Sequence, residues 1–297
     1  MKPMPAIELS RGRIEYADTG GPGPILLLLH GLLMDSSLWD EVVADLQRDH
    51  RCVVPTLPMG AHRVPIHGDL TLSDIAQLVL ELIDGLDLHD VTLVGNDTGG
   101  AIVQLLAAKG SSRIRAIVLV SCDAFENFPP GLTGRALCLL GKLPPRLFGI
   151  LMQQMRIKPV RRLPIAFGWL TKRGDPVVKR WLTPILKHQD VRGDTVKLLR
   201  SINAEPDLLL KAVDPLARFD GPAMIVWASD DRVMPPEHGR ALARILPQAR
   251  LLEISDSYTL IPLDRPAELS HSLREFTHQL PGQRDYKGGP RRAPLAG

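Results

Sequence analysis

The segment with the clearest chemical potential is Val91–Gly100, where an apolar run leads through Gly-Asn-Asp-Thr-Gly-Gly into a helical pattern. Small residues two positions before and after Asp97, namely Gly95 and Gly99, suit a sharp strand-to-helix turn, because a side chain at either place would collide across it. Such a turn would hold Asp97 in a strained conformation, beside a helix N-terminus whose free N–H groups stabilise negative charge. The alternative is an ordinary glycine-rich loop in which Asp97 caps the helix.

A second feature follows the predicted buried strand Ile25–Leu29, where His30 and Gly31 come directly after aliphatic residues. This arrangement resembles the oxyanion loop of the α/β-hydrolase superfamily. The resemblance implies that the backbone N–H of Leu32 and that of Thr98, the residue after the nucleophile, converge on one oxygen. It also implies that His30 packs under this loop and fixes its geometry by hydrogen bonds, without transferring protons.

Further matches to this superfamily follow in order along the chain. Asp231, in WASDDRVMPP, resembles the acid after the seventh strand, and Asp123 stands where some members keep the acid after the sixth. The segment 264–266, Asp-Arg-Pro, resembles the start of the closing helix. The resemblance covers residues 5 to 280 and implies an α/β fold: a mostly parallel eight-stranded sheet with an inserted helical lid.

An aspartate at the elbow resembles haloalkane dehalogenases and epoxide hydrolases. In those enzymes the carboxylate attacks an sp³ carbon, and water then cleaves the resulting ester. Dehalogenases hold the leaving halide with an Asn and a Trp at the positions that are Leu32 and Thr98 here. Epoxide hydrolases use two lid tyrosines as acids, whereas the tyrosines of this chain, Tyr16, Tyr258 and Tyr286, lie outside the predicted lid.

The superfamily's catalytic histidine precedes the closing helix, and the corresponding position in ISDSYTLIPLDRP is Thr259, with Tyr258 before it. Asp231 is therefore predicted to lack its usual imidazole partner. The first candidate for a relocated base is His62, because loops after parallel strands share one sheet edge and His62 follows the predicted strand Cys52–Val54. The alternative is a surface-loop histidine that bonds to backbone.

Several other residues are predicted to line or support the pocket. Asp123, Phe125 and Glu126 follow a strand onto this sheet edge, and Asp123 is expected either to orient a base or to cap the next helix. Asn96, beside Asp97, is also placed at the site, as are His30, Gly31, Tyr258 and Thr259. An apolar lid lining would favour a hydrophobic substrate, although such stripes are also typical of plain core. The residues predicted to form it are Phe148, Ile150, Leu151, Met152, Met155, Phe167 and Trp169.

Composition and patterning predict the domains. Of the 297 residues, 44% are apolar, which suits one large domain with an inserted module. Strands alternate with helices up to residue 123 and resume at 213, so 1–123 and 213–281 are assigned to the core. Residues 124–212, with short helices separated by prolines, are predicted to be the lid. Residues 282–297, rich in Gly, Pro and Arg, are predicted to be a disordered tail.

Composition also argues against several classes of protein. Three cysteines without C-x-x-C spacing speak against a disulfide framework or a zinc site, and neither metal nor cofactor is predicted. The net charge of +3 gives no reason to expect nucleic-acid binding. Apolar runs fall well short of the roughly 20 residues of a membrane span, and the N-terminus lacks a signal-peptide pattern. A cytoplasmic monomer or homodimer is expected.

Charge is unevenly distributed, since residues 131–200 carry a net charge of +12 and the rest of the chain −9. Basic residues interleaved with apolar ones favour anionic partners. Three fit: an anionic or carboxylated apolar substrate, an acidic carrier protein, or an anionic membrane surface. The alternative is a solvated lid whose arginines pair with the acidic remainder.

Three functional classes follow. The favoured one is a hydrolase of a small to medium apolar or anionic substrate, with Asp97 as nucleophile and the N–H groups of Leu32 and Thr98 as oxyanion hole. The second is a lyase, isomerase or cyclase that uses Asp97 as a general base. The third is a binding protein on a disabled fold. Fold alone does not separate them.

Overall fold

The computed structural model describes residues 4–280, so the tail predicted at 282–297 lies outside the described residues. Its eight strands are β1 (Ala6–Leu9), β2 (Gly12–Asp18), β3 (Ile25–Leu29), β4 (Arg51–Pro55), β5 (Val91–Asp97), β6 (Ile114–Cys122), β7 (Ala223–Ala228) and β8 (Ala249–Ile254). They form one sheet in the order β1-β2-β4-β3-β5-β6-β7-β8. Strands β3 to β8 run parallel, whereas β1 pairs antiparallel with β2 and β2 with β4. The predicted mostly parallel eight-stranded sheet is confirmed.

Helices cover both faces of this sheet and fill the segment between β6 and β7. In chain order they are α1 (Asp40–Leu46), α2 (Leu72–Gly85), α3 (Thr98–Lys109), α4 (Gly131–Leu140), α5 (Pro145–Met152), α6 (Lys158–Arg161), α7 (Asp175–Lys187), α8 (Gln189–Ala204), α9 (Leu208–Leu216), α10 (Pro236–Ile245), α11 (Ile261–Asp264) and α12 (Pro266–His278). Two short 3₁₀ helices lie at Ser36–Trp39 and Gln153–Arg156. No helix among residues 4–280 is both long and apolar enough to cross a membrane.

The centre of the fold is the β5–α3 unit. Every residue of β5 is buried, because this strand lies between β3 and β6, and nearly all of α3 is buried as well. Burial on all sides explains why most residues of both elements are apolar or small. The turn between them is therefore held by rigid elements.

The inserted helices α4 to α8 lie over the carboxyl ends of the strands and close a cavity there. Helix α9, by contrast, packs on the core helix α3, so the lid boundary predicted at 212 falls inside α9. The carboxylate of Asp264 fastens the lid to the core: it accepts hydrogen bonds from the Thr171 hydroxyl at 2.7 Å and from the backbone N–H groups of Lys172 and Tyr258.

Candidate active site

The turn between β5 and α3 has the geometry of a strained elbow. Asp97 has φ 55° and ψ −130°, a left-handed conformation that non-glycine residues rarely adopt. A side chain at Gly95 would overlap the carbonyl of Gly99, and one at Gly99 would overlap the carbonyl of Leu29 in β3. The collision expected from the glycine spacing is confirmed at both positions.

One oxygen of the Asp97 carboxylate sits where two backbone N–H groups converge. Its Oδ1 accepts from the N–H of Thr98 at 2.7 Å and of Leu32 at 3.2 Å, and from the Thr98 hydroxyl at 3.0 Å. The other oxygen, Oδ2, receives no hydrogen bond from the described residues. Gly31 makes this approach possible, because a side chain there would overlap the Asp97 carboxylate.

His30 supports the loop that carries the Leu32 N–H. The ring is fully buried, its Nδ1 lies 2.8 Å from the Gly31 carbonyl, and its Nε2 accepts from the N–H of Leu57 at 2.8 Å. Because Nε2 is an acceptor, Nδ1 carries the proton and donates to Gly31. Burial lowers the pKa of His30 to about 4, which keeps the ring neutral at ordinary pH. His30 is a positioning residue and does not line the cavity.

Asp123 lies beside the elbow because it follows β6, whose Cys122 is paired with Asp97 in the sheet. It is fully buried, and neither carboxyl oxygen has a well-formed hydrogen bond with described residues, although the nearby Thr98 hydroxyl acts to lower the pKa of Asp123. Burial, and then the negative charge of Asp97, raises the pKa of Asp123 well above its usual range. Burial also raises the pKa of Asp97, against the hydrogen bonds to its Oδ1. Two adjacent buried carboxyls carry one negative charge more readily than two.

Asp231 and Thr259 meet, but away from the cavity. The Thr259 hydroxyl donates to Asp231 Oδ1 at 2.8 Å, and the N–H groups of Val233 and Met234 donate to the same oxygen at 2.9 Å. Burial raises the pKa of Asp231 to about 6. Neither Asp231 nor Thr259 lines the cavity. The Thr259 side chain contacts Asp231 but does not extend into the cavity.

Asn96 is a structural tie and not a cavity residue. Its Nδ2 donates to the carbonyls of Val120, Ser121 and Thr259 at 2.8 to 3.2 Å, which joins the elbow strand to β6 and to the segment before α11. The prediction that placed Asn96 at the pocket is wrong, since its amide points away from the cavity into these carbonyls.

The expected approach of His62 to Asp97 is not found. His62 is buried, its Nε2 lies 3.4 Å from Oδ2 of Asp194 in the lid helix α8, and its Nδ1 accepts from the N–H of Gly60 at 3.3 Å. The chain after β4 turns the ring toward the lid, so His62 is absent from the residues that line the cavity. It joins the lid to the core, and no base role is assigned to it.

Four other predicted pocket residues also lie outside the cavity lining. The Tyr258 ring lies between the cations of Lys172 and Arg232, each 4.9 Å from its centroid. Phe125 packs edge-on against His238, and the exposed carboxylate of Glu126 lies 3.4 Å from the same imidazole. Trp169 packs against the core.

The cavity over Asp97 has a volume of about 260 Å³ and is lined mainly by apolar side chains of the lid. Of the seven lid residues predicted to line it, Leu151, Met152, Met155 and Phe167 do so. Its polar lining is Asp97, Thr98, Asp123, Thr133 and Gln154. The last two were missed: Thr133 is a polar residue in the mainly apolar α4, whereas Gln154 lies in the polar 3₁₀ helix Gln153–Arg156, where no sequence signal marks it. None of the described lining residues is Lys, Arg or His, so nothing there favours an anionic substrate.

The described residues contain no group of three or more His, Cys, Asp or Glu side chains arranged to hold a metal ion. All three cysteines are buried and free of disulfides. At the elbow the site presents two carboxyls, two backbone N–H groups that converge on one oxygen of Asp97, and an apolar cavity.

Comparison with known proteins gives a consistent family. The model of the alpha/beta hydrolase family matches residues 26–271. Haloalkane dehalogenase 2 of Mycobacterium tuberculosis is 25% identical over 272 residues, 90% of this chain and 92% of its own. A thermophilic esterase from Thermogutta terrifontis has a TM-score of 0.71 at 22% identity, covering 93% of this chain and 98% of its own. The enol-lactonase from Burkholderia xenovorans LB400 has 0.72 at 20%, covering 93% and 100%. This chain belongs to the alpha/beta hydrolase family.

Proposed function

We propose that this chain is a hydrolase that opens a neutral, apolar substrate at an electrophilic carbon, with Asp97 as nucleophile and the N–H groups of Leu32 and Thr98 as oxyanion hole. The observation that supports it best is the asymmetric hydrogen bonding of the Asp97 carboxylate. Oδ1 accepts from both backbone N–H groups, at 3.2 and 2.7 Å, whereas Oδ2 accepts from no described residue. A carboxylate held in this way attacks through its free oxygen.

The reaction has two steps. Oδ2 of Asp97 first attacks the carbon, the bond to the leaving group breaks with its electron pair, and an alkyl ester forms with Oδ1 as its carbonyl oxygen. Water then attacks Cγ of Asp97, and the two N–H groups stabilise the charge that develops on Oδ1. Collapse releases an alcohol that carries the original Oδ2 and leaves an oxygen from water on Asp97.

Asp123 is the proposed source and acceptor of the proton. In the first step the protonated Asp123 donates to the leaving oxygen. The first step leaves Asp123 as a buried carboxylate. Burial, the main cause of its raised pKa, persists when Asp97 is an uncharged ester, so this carboxylate is a strong enough base to take a proton from the attacking water. The water's second proton goes to the alcohol, and both carboxyls return to their starting states.

This arrangement favours a substrate with an oxygen leaving group, such as an epoxide. Leu32 and Thr98 lack the side-chain N–H groups that hold a halide, although a haloalkane dehalogenase is among the relatives. A protonated Asp123 would instead serve a leaving oxygen, which needs a proton. The apolar lining and the two carboxyls favour a neutral substrate over an anionic one.

A second candidate is a lyase, isomerase or cyclase in which Asp97 removes a proton from the substrate. It is supported by the absence of an imidazole from the described cavity lining and by the raised pKa of Asp97, which makes that carboxylate a stronger base. In that reaction no ester forms on Asp97.

Trapping the intermediate separates the two candidates. Wild-type protein mixed with styrene oxide and quenched rapidly should carry the mass of the substrate on the peptide that contains Asp97. Asp97→Asn should carry none, whereas Asp231→Asn, changed in an acid outside the cavity, should still form the adduct. Turnover by the wild type with no adduct at any quench time would support proton abstraction by Asp97.

A further inference from the structure

The outer face of the lid is unusually apolar. Among the described residues, nine large apolar side chains are exposed, and seven of them lie between positions 132 and 165. They are Leu132, Leu139, Leu147, Ile150, Ile157, Leu163 and Ile165, with exposed fractions of 43 to 65%. We call this set, with the basic residues between its members, the lid surface.

Packing of the lid does not explain these side chains. In α5 the inward positions are filled by Phe148 and Met152, which are buried, while Leu147 and Ile150 on the same helix face solvent. The helix is therefore apolar on both faces, and only the inner face is used by the cavity and the core. Large apolar side chains that are exposed and concentrated in one segment of the chain are typical of an interaction site.

The charge of the lid surface has one sign. Residues 127–174 contain nine Lys and Arg and no Asp or Glu. Arg161 and Arg162 are turned inward, the first onto Asp175 and the second onto backbone carbonyls. Five others are exposed and form no ion pair with described residues: Arg135, Lys142, Arg146, Arg156 and Lys158.

The cavity opens on the lid surface. Leu163 and Ile165 line the cavity and are also 44% and 55% exposed, so they form part of its mouth. A partner that covers the lid surface would therefore stand at the entrance to Asp97.

We infer that the lid surface docks on an anionic lipid bilayer, with the aliphatic side chains in the interfacial layer, the exposed Lys and Arg on the lipid headgroups, and the cavity mouth facing the membrane. Aliphatic residues interleaved with cations and free of carboxylates match this interface. A second copy that met this surface with its own lid surface would bring two basic surfaces together, which is unfavourable. A second copy that met it with its acidic remainder would leave the aliphatic side chains unexplained. An acidic carrier protein would use the cations and leave the aliphatic side chains unexplained. Docking does not depend on the reaction proposed at Asp97.

Sedimentation with vesicles tests the inference. The full chain should bind vesicles of phosphatidylcholine and phosphatidylglycerol at least about tenfold more tightly than vesicles of phosphatidylcholine alone, since several cations face anionic headgroups. Raising the salt from about 0.05 to about 0.5 M should weaken this binding, because screening shortens the reach of the charges.

Matched variants assign the binding to the lid surface. Arg146→Glu/Arg156→Glu/Lys158→Glu should abolish it, whereas Arg48→Glu/Arg63→Glu/Arg244→Glu, three exposed arginines outside the lid, should retain it. Ile150→Ser/Ile157→Ser should weaken it without changing the thermal midpoint, because both side chains are exposed. The inference is overturned if wild type binds both vesicle types equally or neither. It is also overturned if the two charge-reversed triples behave alike, or if the serine pair binds as wild type does.

Discussion

The Thr259 hydroxyl donates a 2.8 Å hydrogen bond to Oδ1 of Asp231, and the resemblance to the superfamily predicts an imidazole at position 259. The hydroxyl donates to one oxygen of the buried carboxylate and leaves Oδ2 without a hydrogen-bond partner among the described residues. It is too short to reach the cavity and too weak a base to activate water. No imidazole at position 259 therefore connects Asp231 to Asp97, and neither Asp231 nor Thr259 lines the cavity.

Restoring the imidazole should raise activity. In Thr259→His the ring would hydrogen-bond Asp231 and project toward the ester on Asp97, and a positioned base is worth about 10²- to 10⁴-fold. We expect faster turnover of an epoxide probe and a shorter-lived adduct. Thr259→Val, which loses the hydroxyl and gains no base, is the control and should show no increase. A folded Thr259→His protein with unchanged turnover would argue that the remaining machinery is not built for ester hydrolysis.

The buried Asp231 should make stability depend on pH. Its pKa is about 6 in the folded protein against 3.8 in the unfolded chain, so between these values the folded state holds a proton that the unfolded state has lost. The free energy of unfolding therefore falls as pH rises through this window, by about 3 kcal/mol for this group. Asp231→Asn removes that contribution. Urea unfolding should show the variant gaining stability relative to wild type from about pH 4 to about pH 7; a constant difference would contradict the assignment.

Removing His62 should affect the lid more than the chemistry. His62→Ala loses the contact with Asp194 and leaves a carboxylate that is 5% exposed with one fewer donor, so we expect a loss of about 1 to 3 kcal/mol in stability. Turnover per folded molecule should change less than about twofold, because catalytic losses of 10²-fold or more mark a true base. His271→Ala, at an exposed position, serves as control. If His62→Ala kept its stability but lost turnover, His62 would be supported as the catalytic base.

Substitution of Asp123 should affect substrates differently according to whether their leaving group needs a proton. Asp123→Asn cannot donate or accept the proton, so opening of an epoxide should slow by about 10²-fold or more. An alkyl sulfonate, whose leaving group needs no proton, should still alkylate Asp97, and the ester should then persist. Mass spectrometry of the peptide that contains Asp97 follows both. Equal slowing of the two reagents would show that Asp123 only supports the elbow.

The backbone of the site could be predicted because local rules determine it. Gly95 and Gly99 at fixed distance from Asp97, and Gly31 after a buried strand, are demanded by close contacts within a few residues or between neighbouring strands. These rules do not depend on distant parts of the chain. The elbow therefore followed from spacing, whereas the converging N–H groups and the eight-stranded sheet followed from the resemblance to the superfamily.

The side chains that reach the cavity could not be predicted in the same way. His62 turns toward Asp194, 132 residues away, and Tyr258 is held between Lys172 and Arg232. Such partners come from the packing of the lid on the core, which the sequence pattern does not specify. The prediction of the lid residues that line the cavity was only partly correct for the same reason. Helical spacing identifies an apolar stripe but does not say which side of the helix faces the cavity.

The central claim is that Asp97 forms an ester which water cleaves at Cγ, and single-turnover hydrolysis in heavy-oxygen water tests it most directly. With enzyme in excess over an epoxide probe, the heavy oxygen should appear in the Asp97 side chain, while the first diol released carries ordinary oxygen taken from that carboxylate. Heavy oxygen in the first-turnover diol, with Asp97 unlabelled, would show that water attacks the substrate directly and would contradict the account.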